Sequence, residues 1–494
     1  MFKCVRFIDA IISMIRLSLL FLLLSVSCLG QTRTYSVKKQ QKDFEILKES
    51  LLHVTGQPYL YTDSATFVHL FDSISSYIDE PRTAVELFRA FSFLTASIQC
   101  GHTNLSPNTR LLRDYLFFSE TFPFSIMVFD GKLYAADRYG KDPRVEYGNE
   151  IIEINGHSSS QVLHDMHAHV SSDAKNVTLK NRYLRYNFNL YYYITFGSTD
   201  SFKIKFTNSE LDTLVLGARA ELEDFKSFRL RYRSDPFAQY GKKKNEFGRL
   251  KSNKDLGYSL LELPSFQKAQ GKSYQSFIDA KMRSINKKSY EYLVIDLRGN
   301  LGGKPQTYLM GYFTNSTEHI IEFRLRTGDK PTYQRYLKKW NKFYFLYLLT
   351  RWRHNQLAKS GHHHIQKGGI VVQPESEHCD KQLIVLIDGL TFSAGSNLAA
   401  NLKDKANAIV IGEESGGSYK QGNTGQLRMK LPKTKFGLSL NPIYFNNNVK
   451  LNQGDAGLIP DIMVLSDFSS KKKDDPFIKA VEDYILTKQI TPLK

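Results

Sequence analysis

The stretch QLIVLIDGLTFSAGSNLAANLKDK, Gln382 to Lys405, reads as a buried strand, a tight turn and a helix in immediate succession. Leu383 to Ile387 is apolar on both faces, as a strand covered on both sides of a parallel sheet must be. Leu398, Ala399 and Leu402 then recur at helical spacing, so the helix begins close to Ser393. A serine there has its hydroxyl at a strand's end, beside unpaired N–H groups and the positive end of a helix dipole, where an oxyanion is stabilised. That is the position of a nucleophile. It is equally the position of a plain N-cap, which for an isolated TFSAGS is the simpler reading.

A second unit of the same kind lies upstream. In EYLVIDLRGNLGG, Glu291 to Gly303, a buried strand runs into a loop with three glycines, then a helix over Gln306 to Tyr312 and a strand near Ile320 to Leu325. GYSLLELPSF, Gly257 to Phe266, supplies another strand before them. Two strand–loop–helix units imply a parallel α/β sheet with right-handed crossovers, and function at the carboxyl ends of its strands. Gly299, Gly302, Gly303 and Ser393 then meet at one edge. The glycine spacing fits neither the P-loop nor the dinucleotide fingerprint, whereas exposed N–H groups suit an oxyanion hole.

Upstream of this core the texture differs. From Asp43 to about Asn108, Phe44, Leu47, Leu51, Phe67, Phe71, Ile74, Leu87, Phe91 and Leu94 recur at spacings of three and four, predicting packed helices. The last is expected to stop at Gly101 in SIQCGHTNL, with His102 immediately after and able to face a cleft. Between Phe122 and Ala218 short strands dominate. YGNEIIEINGHSSSQVLHDM, Tyr147 to Met166, resembles the carboxylate-binding side of a PDZ domain, which captures a peptide C-terminus by adding it to a sheet edge. Arg229 to Lys254 reads as a basic linker that forms a boundary. Lys330 to Lys367 interleaves aromatic and basic residues and reads as an insertion against the core, over the active site or on a membrane surface. His362, His363 and His364 are consecutive and cannot all face one metal, so no metal site is expected.

The first thirty residues carry Lys3, Arg6 and Arg16, then an apolar run Leu17 to Val26 and small residues to Gly30, which reads as a secretory signal peptide. Cys28 suggests lipidation, but Ser25 stands where such sites carry leucine, and cleavage near Gly30 is the expectation. Beyond it remain Cys100 and Cys379, which leave one disulfide open and exclude a disulfide-stapled scaffold. The net charge of +18 is spread over loops with no nucleic-acid-binding motif, pointing to an anionic envelope surface rather than nucleic acid.

VIDLRGNLGG at Val294 to Gly303, TFSAGSNLAANLKD at Thr391 to Asp404, IVIGEESGG at Ile409 to Gly417 and GLIPDIMV at Gly457 to Val464 resemble, in this order, the core of the C-terminal-processing (tail-specific) serine peptidases. CGHTNL at Cys100 to Leu105 and the PDZ-like segment resemble the tricorn-like branch of that superfamily. The resemblance implies a multi-domain α/β protein. Its parts would be a signal peptide over 1–30, a helical domain over 31–117, a PDZ-like β-rich domain over 118–218, a linker over 219–254, a core over 255–468 with a mostly parallel sheet of ClpP/crotonase type and an insertion at 330–367, and a C-terminal helix over 469–494. It also implies an exported endopeptidase that needs no cofactor and binds peptide or protein substrates near their C-terminus. His102 would be general base to Ser393, with Ala394 and Gly302 or Gly303 as oxyanion donors, each worth about 3 kcal/mol of barrier. The lysine of the other branch has no counterpart, since Ser418 stands at that position and Lys420 lies two residues on. For the carboxylate that orients the histidine the chain offers Asp455, with Gly454 where the branch's glutamate would align, and Glu413 as a fallback. Two other readings stand beside this one: a non-catalytic module of the same fold that binds peptide or lipid, and an α/β-hydrolase esterase. The esterase needs G-x-S-x-G, and Thr391 occupies the first glycine. The binding module gains if His102 and Ser393 lie beyond hydrogen-bond reach.

Overall fold

The computed structural model describes residues 34–118, 122–138, 145–207, 214–216, 247–326, 364–465 and 475–490. The signal peptide, Cys28, Lys242 to Lys244, most of the insertion with His362 and His363, and Lys471 to Lys473 lie outside the described residues. Three helices open the chain: α1 (Val37–Val54), α2 (Ser64–Tyr77) and α3 (Ala84–Ala96). Thr83 starts α3 with a capping box: its side chain accepts from the Glu86 N–H, and Glu86 accepts from the Thr83 N–H. The helix stops at Ala96 rather than Gly101, because Gln99 turns to a left-handed φ of 52°. A short strand β1 (Asn104–Ser106) follows His102, then α4 (Thr109–Phe118).

The β-rich part is one sheet, β2 (Phe124–Phe129), β3 (Lys132–Arg138), β4 (Glu150–Ile154), β6 (Phe202–Phe206) and β7 (Leu214–Leu216), in that order, with β5 (His157–Ser158) pairing β4. Asn155 and Gly156, both at positive φ, close the β4–β5 hairpin as an Asn-Gly turn should. Helices α5 (Ser159–His167) and α6 (Thr178–Phe196) pack with it. One apolar cluster joins α1–α3 and this sheet, and also takes in Leu427, Met429, Leu438 and Leu440 from far downstream. Those residues are the inward positions of a hairpin, β16 (Leu427–Lys430) and β17 (Gly437–Leu440), whose β17 pairs antiparallel with β1.

The core sheet runs β19 (Ile462–Met463), β14 (Ile409–Gly412), β13 (Gln382–Ile387), β10 (Tyr292–Asp296), β9 (Tyr258–Glu262) and β8 (Arg249–Asn253), parallel except for β8. Strand β8 corrects the linker boundary at 254. Residues 249–253 form an edge strand with Lys251 turned outward and paired to Glu262 at 2.6 Å, a charge that protects a sheet edge. Alternate residues of β10 and β13 serve opposite faces. Leu293, Ile295, Val385 and Ile387 meet α7 (Gly271–Asn286) and α9 (Ala394–Lys405), while Val294, Ile384 and Leu386 meet α10 (Pro476–Ile490). Two covered faces explain why these strands read as unbroken apolar runs. Between β10 and the second sheet lies the short α8 (Thr307–Gly311). That sheet is antiparallel, in the order β12 (His364–Val372), β11 (Glu318–Arg326), β18 (Ile443–Asn447), β15 (Gln421–Thr424). The expected insertion therefore ends before His364, which pairs with Arg326 at the start of β12. Cys100 and Cys379 are free and buried. Among the described residues no helix is long and apolar enough to cross a membrane.

Candidate active site

Ser393 caps α9 in position only. Its side chain makes no capping hydrogen bond, and its backbone sits at φ 57°, ψ −120°, a conformation that costs a non-glycine residue about 1–3 kcal/mol. The turn is fixed from several sides. The Asp388 Oδ1 accepts from the N–H groups of Gly299 (2.9 Å) and Leu390 (3.0 Å), tying the two glycine-bearing loops together. The Thr391 hydroxyl donates to the Leu297 carbonyl at 2.9 Å, and the Phe392 N–H donates to the Asn300 carbonyl at 2.9 Å. Behind the loop, buried Arg298 forks onto Asp296 at 2.9 and 2.7 Å and reaches Asp475 at 2.8 Å.

Gly302 touches this turn so closely that a Cβ would lie 2.7–2.8 Å from the Phe392 carbonyl oxygen, the Ala394 nitrogen and the Ser393 Cβ. Its N–H is not free, however, because it donates to Asn300 Oδ1 at 2.8 Å. Gly302 therefore does not supply an oxyanion donor, which corrects that expectation. Gly303 and Ala394 line the pocket beside Ser393, and among the described residues nothing accepts from their N–H groups.

His102 arrives from the other half of the chain. Its Nε2 lies 3.0 Å from the Ser393 Oγ, across 291 residues of sequence. Three contacts place it: β1 on the β16–β17 hairpin, the Thr103 hydroxyl on Asn441 Oδ1 at 3.1 Å, and the imidazole against the Phe392 ring at 4.5 Å between centroids. Gly101 fits here because a Cβ would press on Phe392 at 2.9 Å. Burial holds the imidazole pKa below its ordinary 6.5, and the charge of Asp173 opposes that lowering.

Asp173, which the sequence reading missed, is the carboxylate next to this histidine. It is buried in the segment between α5 and α6, where Oδ1 accepts from the Gly101 N–H at 2.7 Å and Oδ2 from the Ser418 N–H at 3.0 Å. Burial pushes its pKa up, against the pull of His102 and these two amides. The segment is pinned further by Asn176 on Glu414 and the Ser415 carbonyl, and by Arg182 on Glu413 at 2.6 Å. The only sequence signal was an aspartate among small polar residues in SSDAKN, with nothing to tie it to GHT.

Residues 256–464 match the model of peptidase family S41. That stretch of the chain is similar to the S41 peptidases. Ser393 lies inside the matched region, with His102 and Asp173 before it. Among solved structures, mature CPAF complexed with lactacystin is 14% identical over 91% of this chain and 97% of that one, with a TM-score of 0.59. A mutant CPAF is 12% identical over 93% and 99%, with a TM-score of 0.61. At these identities the likeness is one of fold. No curated protein sequence matches significantly.

Asp455, expected as the orienting carboxylate, is exposed, and among the described residues no hydrogen bond joins it to His102. The carboxylate beside the imidazole is Asp173 instead, with an oxygen within 4.8 Å of a ring nitrogen. Glu413 is committed to Arg182 and the Gly389 N–H. No hydrogen bond joins Lys420 to Ser393. Cys100 Sγ, a ring nitrogen of His102 and an Asp173 oxygen lie within 4.8 Å of one another, a donor set that a soft divalent ion accepts. Taking one would require deprotonating a thiol that burial pushes up to about 12.

Proposed function

We propose that this protein is an exported serine endopeptidase in which Ser393 attacks the scissile carbonyl and His102 is the general base. The observation that carries the proposal is the 3.0 Å contact between His102 Nε2 and Ser393 Oγ, formed by residues 291 positions apart. An imidazole with a lowered pKa is neutral at neutral pH and can take the serine proton, then return it to the leaving amine. Asp173 would favour the imidazolium formed in between. The N–H groups of Gly303 and Ala394 would hold the oxyanion, aided by the N-terminus of α9. Because Ser393 turns its hydroxyl to His102 instead of capping α9, the plain N-cap reading loses its support, and the binding-module reading loses the separation it required.

Substrates would be proteins or peptides held near their C-terminus on the PDZ-like part, whose sheet ends in the edge strands β2 and β7. The test is active-site labelling. A fluorophosphonate probe should modify Ser393 in the wild-type protein and fail with Ser393→Ala, with peptide hydrolysis lost in parallel. A folded protein left unlabelled at high probe concentration would refute the proposal.

A further inference from the structure

Three donors of different kinds meet beside His102. Cys100 Sγ, a ring nitrogen of His102 and a carboxylate oxygen of Asp173 all lie within 4.8 Å of one another. One turn sets them there. Cys100 and His102 flank Gly101, the Thr103 N–H donates to the Cys100 carbonyl at 3.0 Å, and the Gly101 N–H donates to Asp173 Oδ1 at 2.7 Å. The other carboxylate oxygen, Oδ2, accepts from the Ser418 N–H at 3.0 Å. Each oxygen of an ionised carboxylate keeps a further lone pair after one such bond, so these amides orient Asp173 without using it up.

A buried thiol by itself is an inert apolar filler, and what sets Cys100 apart is its company. His102 Nδ1 is sealed from solvent and has no hydrogen-bond partner among the described residues. The Cys100 thiol donates to the Asn423 carbonyl at 3.6 Å, a weak bond that a stronger ligand bond can replace. In a tetrahedral zinc site, one sulfur, one nitrogen and one oxygen ligand stand about 3.3–3.6 Å apart, so the cluster reaches that geometry by closing about 1 Å. Three protein ligands leave the fourth position to water.

We propose that Cys100, His102 and Asp173 form a binding site for a thiophilic divalent cation of the Zn²⁺ class, and that an ion held there switches the general base off. The binding half stands alone, while the switch rests on the peptidase reading. The proton balance is simple. On ligation the thiol releases its proton to solvent, since a coordinating thiol is deprotonated outright, and Asp173 binds as the carboxylate. A neutral imidazole with a metal on Nδ1 carries its one proton on Nε2, which then donates to Ser393 Oγ and can accept nothing from it. A metal on Nε2 instead displaces the serine contact. Either way the serine proton has no acceptor. Because Cys100 and Asp173 are buried, the ion enters as the turn opens and the complex forms slowly.

The test uses Cd²⁺ alone, added to the purified, reduced protein and followed to equilibrium by two readouts. One is the thiolate-to-metal charge-transfer absorption, which histidine and carboxylate ligands do not give. The other is the rate of fluorophosphonate labelling at Ser393. The wild-type protein should develop the band, and labelling should slow by roughly 10²–10⁴-fold at saturation, the scale of a lost general base. Cys100→Ser should lose the band and weaken the Cd²⁺ effect by more than the roughly 10–100-fold that an outer-shell partner is worth, whereas Cys379→Ser should keep both. A folded wild-type protein that gives no band would overturn the site, whether or not the variants fold. So would a band and a labelling loss that both persist in Cys100→Ser. A band with labelling unchanged would overturn the switch. If the wild-type protein is unlabelled with and without Cd²⁺, the peptidase reading falls and the switch with it, while the band still decides whether the cation binds.

Discussion

Ser393 and His102 meet at 3.0 Å, yet the two sides of that contact are held differently. The serine sits in a turn tied by Asp388, Thr391, Asn300 and the Gly302 approach, all from two neighbouring loops of the region that matches the S41 model. The histidine lies outside that region, just before a short strand borrowed by the β16–β17 hairpin, and its Nδ1 is buried without a hydrogen-bond partner among the described residues. The nucleophile is therefore specified locally, while the base depends on tertiary contacts among segments hundreds of residues apart. Loss of either reacting group should remove chemistry outright, and substitutions of the groups that hold them in place should tune it.

The largest effect expected is the loss of either reacting group. Ser393→Ala or His102→Ala should lower kcat by roughly 10⁶-fold, and the double variant should be no worse than either single one, because the two act as a unit. Additive losses would mean that they do not. Asp173→Asn should cost roughly 10²–10⁴-fold in kcat with labelling slowed in step, whereas Asp455→Asn should stay within about twofold. If Asp455→Asn is the more damaging, the assignment of the orienting carboxylate is wrong. Gly302→Ala places a Cβ against the Ser393 turn and should reduce the labelling rate by about 10²-fold, the scale expected of a small misplacement, while the far-ultraviolet circular dichroism stays unchanged.

The smallest effect is a shift in pH dependence. His102 must be neutral to act, and burial holds its pKa below 6.5, so kcat/KM should fall as pH drops through a midpoint under 6.5. The Asp173 charge raises that pKa, and residual activity of Asp173→Asn should therefore have its acid limb at still lower pH. A limb that moves upward would show that the carboxylate does not act on this imidazole.

Much of the core was readable in advance because its physics is local. Both faces of β10 and β13 are buried, so each strand is a continuous apolar run, and glycines mark the loops where backbones approach. The positions of Ser393 and Ala394 and the S41 resemblance followed from the same local pattern. Which glycine offers its N–H did not, since Gly302 is disqualified by the side chain of Asn300 and not by its own conformation. Asp173 was invisible for a related reason. Its partners are the Gly101 and Ser418 N–H groups, which lie 72 and 245 residues away and carry no mark in the sequence. Strand β8 was hidden by its charges, which suit an edge strand as well as a linker.

The positive φ of Ser393 has an evolutionary corollary. Glycine would adopt that backbone without strain, and alanine would keep the strain while losing the oxygen. A lineage of this fold that had abandoned hydrolysis would drift toward glycine at this turn and melt at a higher temperature for it. Ser393→Gly should accordingly lose the proposed chemistry yet melt at a higher temperature than the wild-type protein.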